Sequence, residues 1–496
     1  MKISKVSYLL LLMNLLFFPL TGNVGLFELI KLNFVVDVIG YLLPTAYFIS
    51  FVFDYYNEFL IHKKIYYTKI TIACLIFIIT LLISFFSSIV FEFSNFTALI
   101  SFVFLAGYIL TLDIYKIDDN KLKKLFYIMI ALSTMISLLG IFQYFLKIGG
   151  TSAGIEKYPG ALYRINSTMY IATILDKFMI FNVILLYYII FIKDFFVKNN
   201  KLMYVLIVST ILSVTALAFT FSRTGIIIFY CISALFFLLN LCKKQYKNML
   251  FVLLIVIYVY AIPGQNHLLS SSAYQVNNIG EKIFEKTNMD FLIKPFNGVL
   301  NLFIIDGFSD IVSHGEENEQ NDVEDSENDK DSSENDKDSS ENDKDSSENE
   351  LYENVINDNS VMDREYFKNV GIKVIESDMF TGIGPGSYTH IYNNQNVNEY
   401  IKEPLDVTSM YMYPHNFYIH FIAELGILGF ISFAIILFVI FINNVNKKNT
   451  MFIMFMFFAL LLSCYTESVF YMKDLYIWFL ILCMMSSKIN MKDIFK

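Results

Sequence analysis

The stretch FYIHFIAELGILGFISFAIILFVIFI, residues 417–442, decides the fold class of this chain. It is long enough to cross the hydrocarbon core of a bilayer, which takes about 20 apolar residues in a helix. Eleven further apolar runs lie at about 7–22, 33–53, 69–90, 96–115, 125–146, 168–192, 202–219, 225–241, 249–262, 450–466 and 475–487. The sequence therefore predicts an all-α, polytopic transmembrane helical bundle of about 12 spans.

The composition of the whole chain supports this prediction. Of the 496 residues, 56% are hydrophobic and only 17% are charged, and the mean hydropathy is +0.53. A water-soluble domain has too much surface for its volume to bury so many apolar side chains, whereas lipid accepts them. The composition thus excludes a soluble enzyme, and we expect no nucleic-acid partner.

The distribution of lysine predicts the orientation in the cytoplasmic membrane. Cytoplasmic loops carry an excess of Lys and Arg. If the N-terminus lies inside, the cytoplasmic segments carry 20 lysines and the short outer loops only a handful of basic residues. This pattern predicts an even number of spans, with both termini cytoplasmic and one large loop outside.

The predicted spans divide the chain into three regions. Residues 1–262 hold transmembrane helices 1–9, residues 263–416 form the large extracytoplasmic loop, and residues 417–496 hold helices 10–12. The first run could also be a signal peptide. It lacks a clear cleavage site of small residues, and its retention as a span fits the charge alternation better.

The large loop contains a low-complexity tract at residues 316–350. The unit NDKDSSE occurs three times in tandem there, and the tract carries 17 acidic residues and 3 lysines. Without this tract the net charge changes from −9 to +5, so the membrane body is mildly basic. The tract lacks apolar heptad positions and the glycine of a calcium loop. We expect a disordered, solvated insertion, with weak attraction of divalent cations as the alternative.

After the acidic tract, an ordered segment is expected at residues 360–377. Phe367, Val370 and Val374 recur at helical spacing, which predicts an amphipathic helix near the outer membrane surface. The turn TGIGPGSY, residues 381–388, follows this helix. Its glycines lack the strand–helix context of a dinucleotide-binding loop, so we do not expect a nucleotide there.

Two arginines are candidates for binding an anion. Arg223 lies in FSRTG, between two apolar runs, where a charge is costly and often functional; the alternative is a side chain that snorkels to the interface. Arg364 lies at the start of the amphipathic helix, where a solvated helix position is the simpler interpretation. Arg164, in LYRINST, is a weaker third candidate.

A histidine opens the tenth predicted span. His415 and Asn416 lie at its outer end, where the positive end of the helix dipole favours an anion. His415 can act as a general base, because imidazole can accept a proton, although a capping or interfacial histidine is equally compatible with this position. His420 and Glu424 follow at i, i+4 spacing on one helix face, where a structural pair is favoured over catalysis.

A further pair of charges, Asp176 and Lys177, lies inside the sixth predicted span. Ionisable residues in a span are candidates for function by default. These two could line a polar cavity or pair with other spans. No cluster of Cys and His indicates a metal site.

Together these residues resemble a known family. FSRTG, the segment from Arg364 to Tyr388, and the segment PHNFYIHFIAELGILGF (residues 414–430) are similar, in this order, to motifs of the O-antigen ligase/polymerase-like family of bacterial membrane glycosyltransferases. The topology and the position of the large loop also agree. The acidic tract is a departure from the family pattern.

The resemblance implies a metal-independent, inverting transfer of a glycan from a polyprenyl-diphosphate donor to an acceptor hydroxyl on a glycan or lipid. Arg223 and Arg364 would hold the diphosphate, His415 would take the proton of the acceptor, and Asn416 would orient the histidine or the sugar. Beside these residues, Glu424 and Arg164 are expected to support the site. Arginine suits this task because it binds phosphate bidentately and stays charged.

Several functions remain open on the sequence. A polysaccharide polymerase is slightly favoured over a ligase that moves finished glycan to a lipid, wall or protein acceptor. Asp176 and Lys177 keep a transporter or lipid flippase open, although no inverted repeat is evident. A membrane scaffold is the fourth interpretation.

Overall fold

The computed structural model describes residues 1–21, 33–88, 93–147, 164–169, 172–192, 200–262, 359–388, 413–445, 449–486 and 488. The predicted acidic tract at 316–350 lies outside these residues. The described part contains thirteen α-helices, one short 3-10 helix at Val469–Tyr471, and no strand. The α-helices are α1 Lys5–Thr21, α2 Asn33–His62, α3 Lys69–Phe86, α4 Phe93–Ile114, α5 Asp119–Leu146, α6 Ala172–Ile192, α7 Asn200–Phe219, α8 Arg223–Cys242, α9 Tyr246–Tyr260, α10 Asn359–Ser377, α11 Phe417–Val445, α12 Thr450–Thr466 and α13 Lys473–Ser486.

The helices confirm the predicted all-α, polytopic class. Within the described ranges, eight are long and apolar enough to cross a membrane, namely α2 to α8 and α11. Four shorter apolar helices lie in α1, α9, α12 and α13. Each of the twelve predicted apolar runs overlaps one of these twelve helices. The side of the membrane on which each loop lies stays a prediction.

Helix α6 forms the centre of the bundle. Its apolar window, Ala172–Phe191, is buried along its whole length, whereas most other long helices leave half or more of their residues uncovered. A helix that is apolar on all faces needs neighbours on all faces, and α6 packs against α5, α7, α8, α12 and α13. Asn182 joins two of these neighbours, since it accepts a hydrogen bond from Ser133 Oγ and donates one to Ser213 Oγ, each at 2.8 Å.

Helix α10 lies against α11 rather than standing alone. Its residues Phe367, Val370 and Val374 are buried, and the last two belong to an apolar cluster with Tyr388 of the following turn and Ala423 of α11. The apolar face of this amphipathic helix is therefore covered by protein. The packing brings the glycine-rich turn after α10 into contact with a membrane helix.

Candidate functional site

His415 lies at the entry to α11 and is paired with a buried acid. Its Nδ1 lies 3.2 Å from Oε2 of Glu467, the residue that directly follows α12. The Glu467 side chain is 2% exposed and that of His415 is 18% exposed, so the pair lies at the edge of the buried interior. A carboxylate at Nδ1 favours the tautomer that carries its proton there, which leaves Nε2 as the proton acceptor.

The backbone at His415 is held in an unusual conformation. Its φ is +45°, in the left-handed region that non-glycine residues seldom adopt and that costs about 1–3 kcal/mol. The next residue, Asn416, caps α11 because its Oδ1 accepts a hydrogen bond from Ile419 N at 3.2 Å. Its Nδ2 donates to Tyr465 O at 3.1 Å. Asn416 thus ties the start of α11 to the end of α12 and fixes the place of His415.

Helix α11 is broken at Gly426, and the glycine-rich turn completes its hydrogen bonds. Gly426 has φ +66° and ψ 179°, which interrupts the helix. Four backbone hydrogen bonds replace those lost: Ile383 N to Ala423 O at 3.0 Å, Gly384 N to Glu424 O at 2.9 Å, Ile427 N to Met379 O at 2.8 Å and Leu428 N to Phe380 O at 3.4 Å. Because lipid offers no partners, a broken membrane helix requires such replacements. The turn is therefore an integral part of α11.

The Glu424 carboxylate binds the other end of the same turn. It accepts hydrogen bonds from Gly386 N at 2.8 Å, from Tyr388 N at 3.0 Å and from the hydroxyl of Tyr471 at 2.8 Å. Burial is the main cause that raises the pKa of Tyr471 well above its ordinary value, and the adjacent Glu424 carboxylate is the second. The Tyr471 hydroxyl therefore remains a hydrogen-bond donor. His420 Nε2 lies 3.4 Å from Glu424 Oε1, within ion-pair range but without hydrogen-bond geometry. Glu424 thus positions the turn rather than facing a substrate.

The FSRTG motif forms the start of α8. Ser222 caps this helix, since its Oγ accepts a hydrogen bond from Gly225 N at 3.2 Å, and Arg223 is the first helical residue. Arg223 is partly exposed. Its charge therefore lies beside the positive end of a helix dipole, where both attract an anion.

Arg164 supports the chain just before this motif. Its Nε donates a hydrogen bond to Thr220 O at 2.9 Å, and the neighbouring Ile165 N donates to Phe219 O at 3.1 Å. These bonds hold the connection between α7 and α8. Arg164 is therefore placed to orient the turn that carries Arg223.

The charged pair of α6 lies against the start of α8. Lys177 Nζ lies 2.9 Å from both carboxylate oxygens of Asp176, and both side chains are fully buried. Lys177 also donates to Thr224 Oγ1 at 3.2 Å. The Asp176 carboxylate is also within electrostatic range of the Glu467 carboxylate. The α6 pair therefore contacts the start of α8 and lies within electrostatic range of Glu467, the partner of His415. These buried polar groups of α6, α8, α11 and α12 are called the polar centre.

A comparison with known families finds a match over part of the chain. The family described as O-antigen ligase matches residues 208–434, a range that contains FSRTG, α10, the glycine-rich turn and the broken part of α11. Residues 208–434 belong to the O-antigen ligase family. The family resemblance drawn from the sequence is thereby confirmed. No curated protein matches the chain.

The match of residues 208–434 to the O-antigen ligase family supports a membrane glycosyltransferase of ligase type. Such an enzyme acts on a lipid-linked glycan and an acceptor. The helical, membrane-embedded fold suits substrates that are themselves held in a membrane. The polar centre among α6, α8, α11 and α12 is the candidate site for this ligase-type reaction.

The structure places the predicted site residues at three helices. His415 and Asn416 lie at the start of α11, Glu424 lies two residues before its break, and Arg223 lies at the start of α8. Arg364 belongs to α10, and its side chain lies outside the described residues. The helix that carries Arg364 is joined to α11 by the glycine-rich turn.

Sequence reasoning missed Glu467 and the placement of the α6 pair. Glu467 lies in CYTES, at the end of the eleventh apolar run, and an acidic residue in so apolar a region was a usable signal. Its partner lies 52 positions earlier along the chain, so only the fold shows that they meet. Asp176 and Lys177 were noticed, but their pairing with each other was not foreseen.

Proposed function

We propose that the protein is a membrane glycosyltransferase that moves a glycan from a polyprenyl-diphosphate donor to an acceptor hydroxyl outside the cytoplasm, most simply as a surface polysaccharide polymerase. The observation that carries this proposal is the His415–Glu467 pair. A partly exposed histidine with a buried carboxylate on Nδ1 is equipped to accept a proton at Nε2.

His415 acts as the general base in this proposal. Nε2 takes the proton of the acceptor hydroxyl while the acceptor oxygen forms a bond to the anomeric carbon of the donor sugar. The bond between that carbon and the diphosphate oxygen breaks, and the diphosphate leaves with the electron pair. Glu467 stabilises the imidazolium that forms, as a carboxylate does in other histidine-based sites. Attack from the face opposite the leaving group inverts the anomeric configuration.

Arg223 and Arg364 hold the leaving diphosphate. Arg223 adds its fixed charge to the positive end of α8, and such preorganised charges stabilise the negative charge that develops on a leaving group. Guanidinium groups bind phosphate oxygens bidentately, so the proposed reaction needs no metal ion. Arg164 and Glu424 do not contact the substrate in this proposal, but act indirectly through the turns to which they are hydrogen-bonded.

The lipid part of the donor would remain in the bilayer. Three of the helices around the polar centre, α8, α11 and α12, expose large apolar side chains. A polyprenyl chain can lie against these surfaces while its diphosphate reaches the helix starts. The energy for transfer is stored in the sugar–diphosphate bond, so no nucleotide sugar is required.

Deletion of the gene tests the proposal and separates its two main forms. Surface polysaccharide and lipid-linked intermediates are analysed together in the deletion strain. A polymer ladder that collapses to single repeat units indicates a polymerase. Full-length chains that accumulate on the lipid carrier indicate a ligase with a lipid, wall or protein acceptor. Unchanged polysaccharide and carrier-linked glycan contradict both forms and favour a transporter or flippase of another substrate.

A further inference from the structure

The Asp176–Lys177 pair needs an explanation that stability alone does not supply. Both side chains are fully buried, and Lys177 Nζ contacts both carboxylate oxygens at 2.9 Å. Removing two charges from water offsets most of the attraction between them, and apolar replacements of such pairs are often no less stable. A buried ion pair is better suited to fixing a geometry, because its hydrogen bonds are directional.

The residues that the pair contacts on α8 lie on both sides of Arg223 in the sequence. Lys177 donates to Thr224 Oγ1 at 3.2 Å, and the Ser222 hydroxyl interacts with the Asp176 carboxylate. Gly225 lies so close that a Cβ on it would stand 2.6 Å from Asp176 Oδ2. Ser222 and Thr224, which flank Arg223, and Gly225, the residue after Thr224, are therefore all placed by this pair.

These contacts define both the distance of the start of α8 from α6 and its rotation about the helix axis. The close approach at Gly225 sets how far α8 lies from α6, since any side chain there would meet the carboxylate. The hydrogen bond to Thr224 sets the rotation, because Thr224 and Arg223 are successive residues that point in different directions from the helix. Apolar packing alone would permit more sliding and rotation.

We propose that Asp176 and Lys177 are positioning residues that hold the start of α8 so that Arg223 meets the donor diphosphate. The inference rests on the proposed function, since it assigns to the pair an effect on donor binding that is transmitted through Arg223. Neither residue touches the diphosphate. The pair acts on recognition of the lipid-linked diphosphate and not on proton removal by His415.

The experiment measures binding of undecaprenyl diphosphate to the full-length protein in lipid nanodiscs, with undecaprenyl phosphate for comparison. Asp176→Asn and Lys177→Met are introduced together, because removal of one partner leaves an uncompensated buried charge. This neutral-pair variant is compared with Arg223→Lys and with the combination of all three substitutions. Asn182→Leu is the matched control, as Asn182 is a fully buried polar residue of the same helix that bonds to α5 and α7 instead.

We expect Arg223→Lys to raise the Kd for undecaprenyl diphosphate about tenfold, and the neutral pair to raise it by a similar factor. The combined variant should be no more than slightly weaker than either, because the pair acts through Arg223. Independent effects would instead multiply to about a hundredfold. Asn182→Leu should lower the thermal unfolding midpoint and leave the Kd unchanged.

The outcomes separate this inference from the proposed function. A neutral pair that binds like the wild type, or effects that multiply, overturns the positioning role while the role of Arg223 stands. A Kd for Asn182→Leu that rises as far as that of the neutral pair also overturns it, since general loosening would then explain both. If Arg223→Lys binds like the wild type, or the wild type does not prefer the diphosphate, the proposed function itself fails.

Discussion

His415 Nδ1 lies 3.2 Å from Oε2 of Glu467, and this contact joins the start of α11 to the end of α12. Glu467 is almost fully buried, so its charge is poorly solvated and depends on polar partners within the protein. This contact favours the tautomer of His415 that carries its proton on Nδ1, so that Nε2 is the nitrogen able to accept a proton. The first two predictions follow from it.

His415→Ala should abolish glycan transfer and leave the protein inserted in the membrane. The substitution removes the proposed base, a contribution of about 10²–10⁴-fold in rate, while the His415 side chain lies at the edge of the buried interior. The measurement is the surface polysaccharide ladder, with the amount of protein in the membrane fraction. His62→Ala is the matched control, because the His62 side chain is 54% exposed at the end of α2. Polymer of normal length and amount in the His415→Ala strain would contradict the mechanism.

Glu467→Gln should lower the rate of transfer about 10²-fold, with little change in the KM for the donor. The amide keeps the size of the side chain but loses the charge that stabilises the imidazolium. Glu467→Asp keeps the charge on a shorter side chain, so its rate of transfer should lie between those of the wild type and Glu467→Gln. The rates are measured with purified protein and lipid-linked donor from the native host. Equal rates for the Gln variant and the wild type would show that Glu467 only packs.

Arg223→Lys should raise the KM for the lipid-linked donor roughly 10- to 100-fold, in line with the loss of about 1.5–3 kcal/mol for a hydrogen bond to a charged group. Lysine keeps the positive charge but cannot bind two phosphate oxygens in one plane. Lys243→Arg, at the other end of α8, is the control and should have no effect. An Arg223→Lys enzyme with unchanged KM and kcat would remove Arg223 from the site.

Gly426→Ala should destabilise the protein and reduce transfer. The residue has φ +66°, which costs about 1–3 kcal/mol for a side chain, and an added Cβ would lie 2.1 Å from Phe380 O. The clash would separate α11 from the turn that completes its hydrogen bonds. Gly40→Ala is the control, since a Cβ there meets nothing within 4 Å. The thermal unfolding midpoint in detergent measures the effect, and equal midpoints for the two variants would contradict the argument.

Deletion of residues 316–350 should leave transfer nearly unchanged. The tract is acidic, repetitive and without any of the proposed site residues, so its sequence is typical of a solvated insertion. The polymer ladder of the deletion strain is compared with that of the wild type. Loss of the polymer with normal amounts of protein in the membrane would show that the tract has a direct part in the reaction.

Much of this protein is determined by local sequence. Each apolar run predicts its own helix, because in lipid a segment must satisfy its backbone hydrogen bonds internally. The candidate residues could likewise be found one by one, since a charge such as Arg223 or Asp176 is conspicuous in an apolar segment. The motif order was enough to indicate the O-antigen ligase family, which the match to residues 208–434 confirms.

The pairings were decided only by the tertiary structure. Glu467 contacts His415, and Asp176 contacts Lys177 and lies against Gly225. The glycine-rich turn supplies the hydrogen bonds that α11 loses at Gly426. Each of these contacts, apart from the adjacent Asp176 and Lys177, joins residues more than 35 positions apart. Hydropathy and helical periodicity act over a single segment, whereas these contacts depend on which helices pack side by side and at what height. That arrangement is a property of the whole bundle, and no single stretch of the sequence contains it.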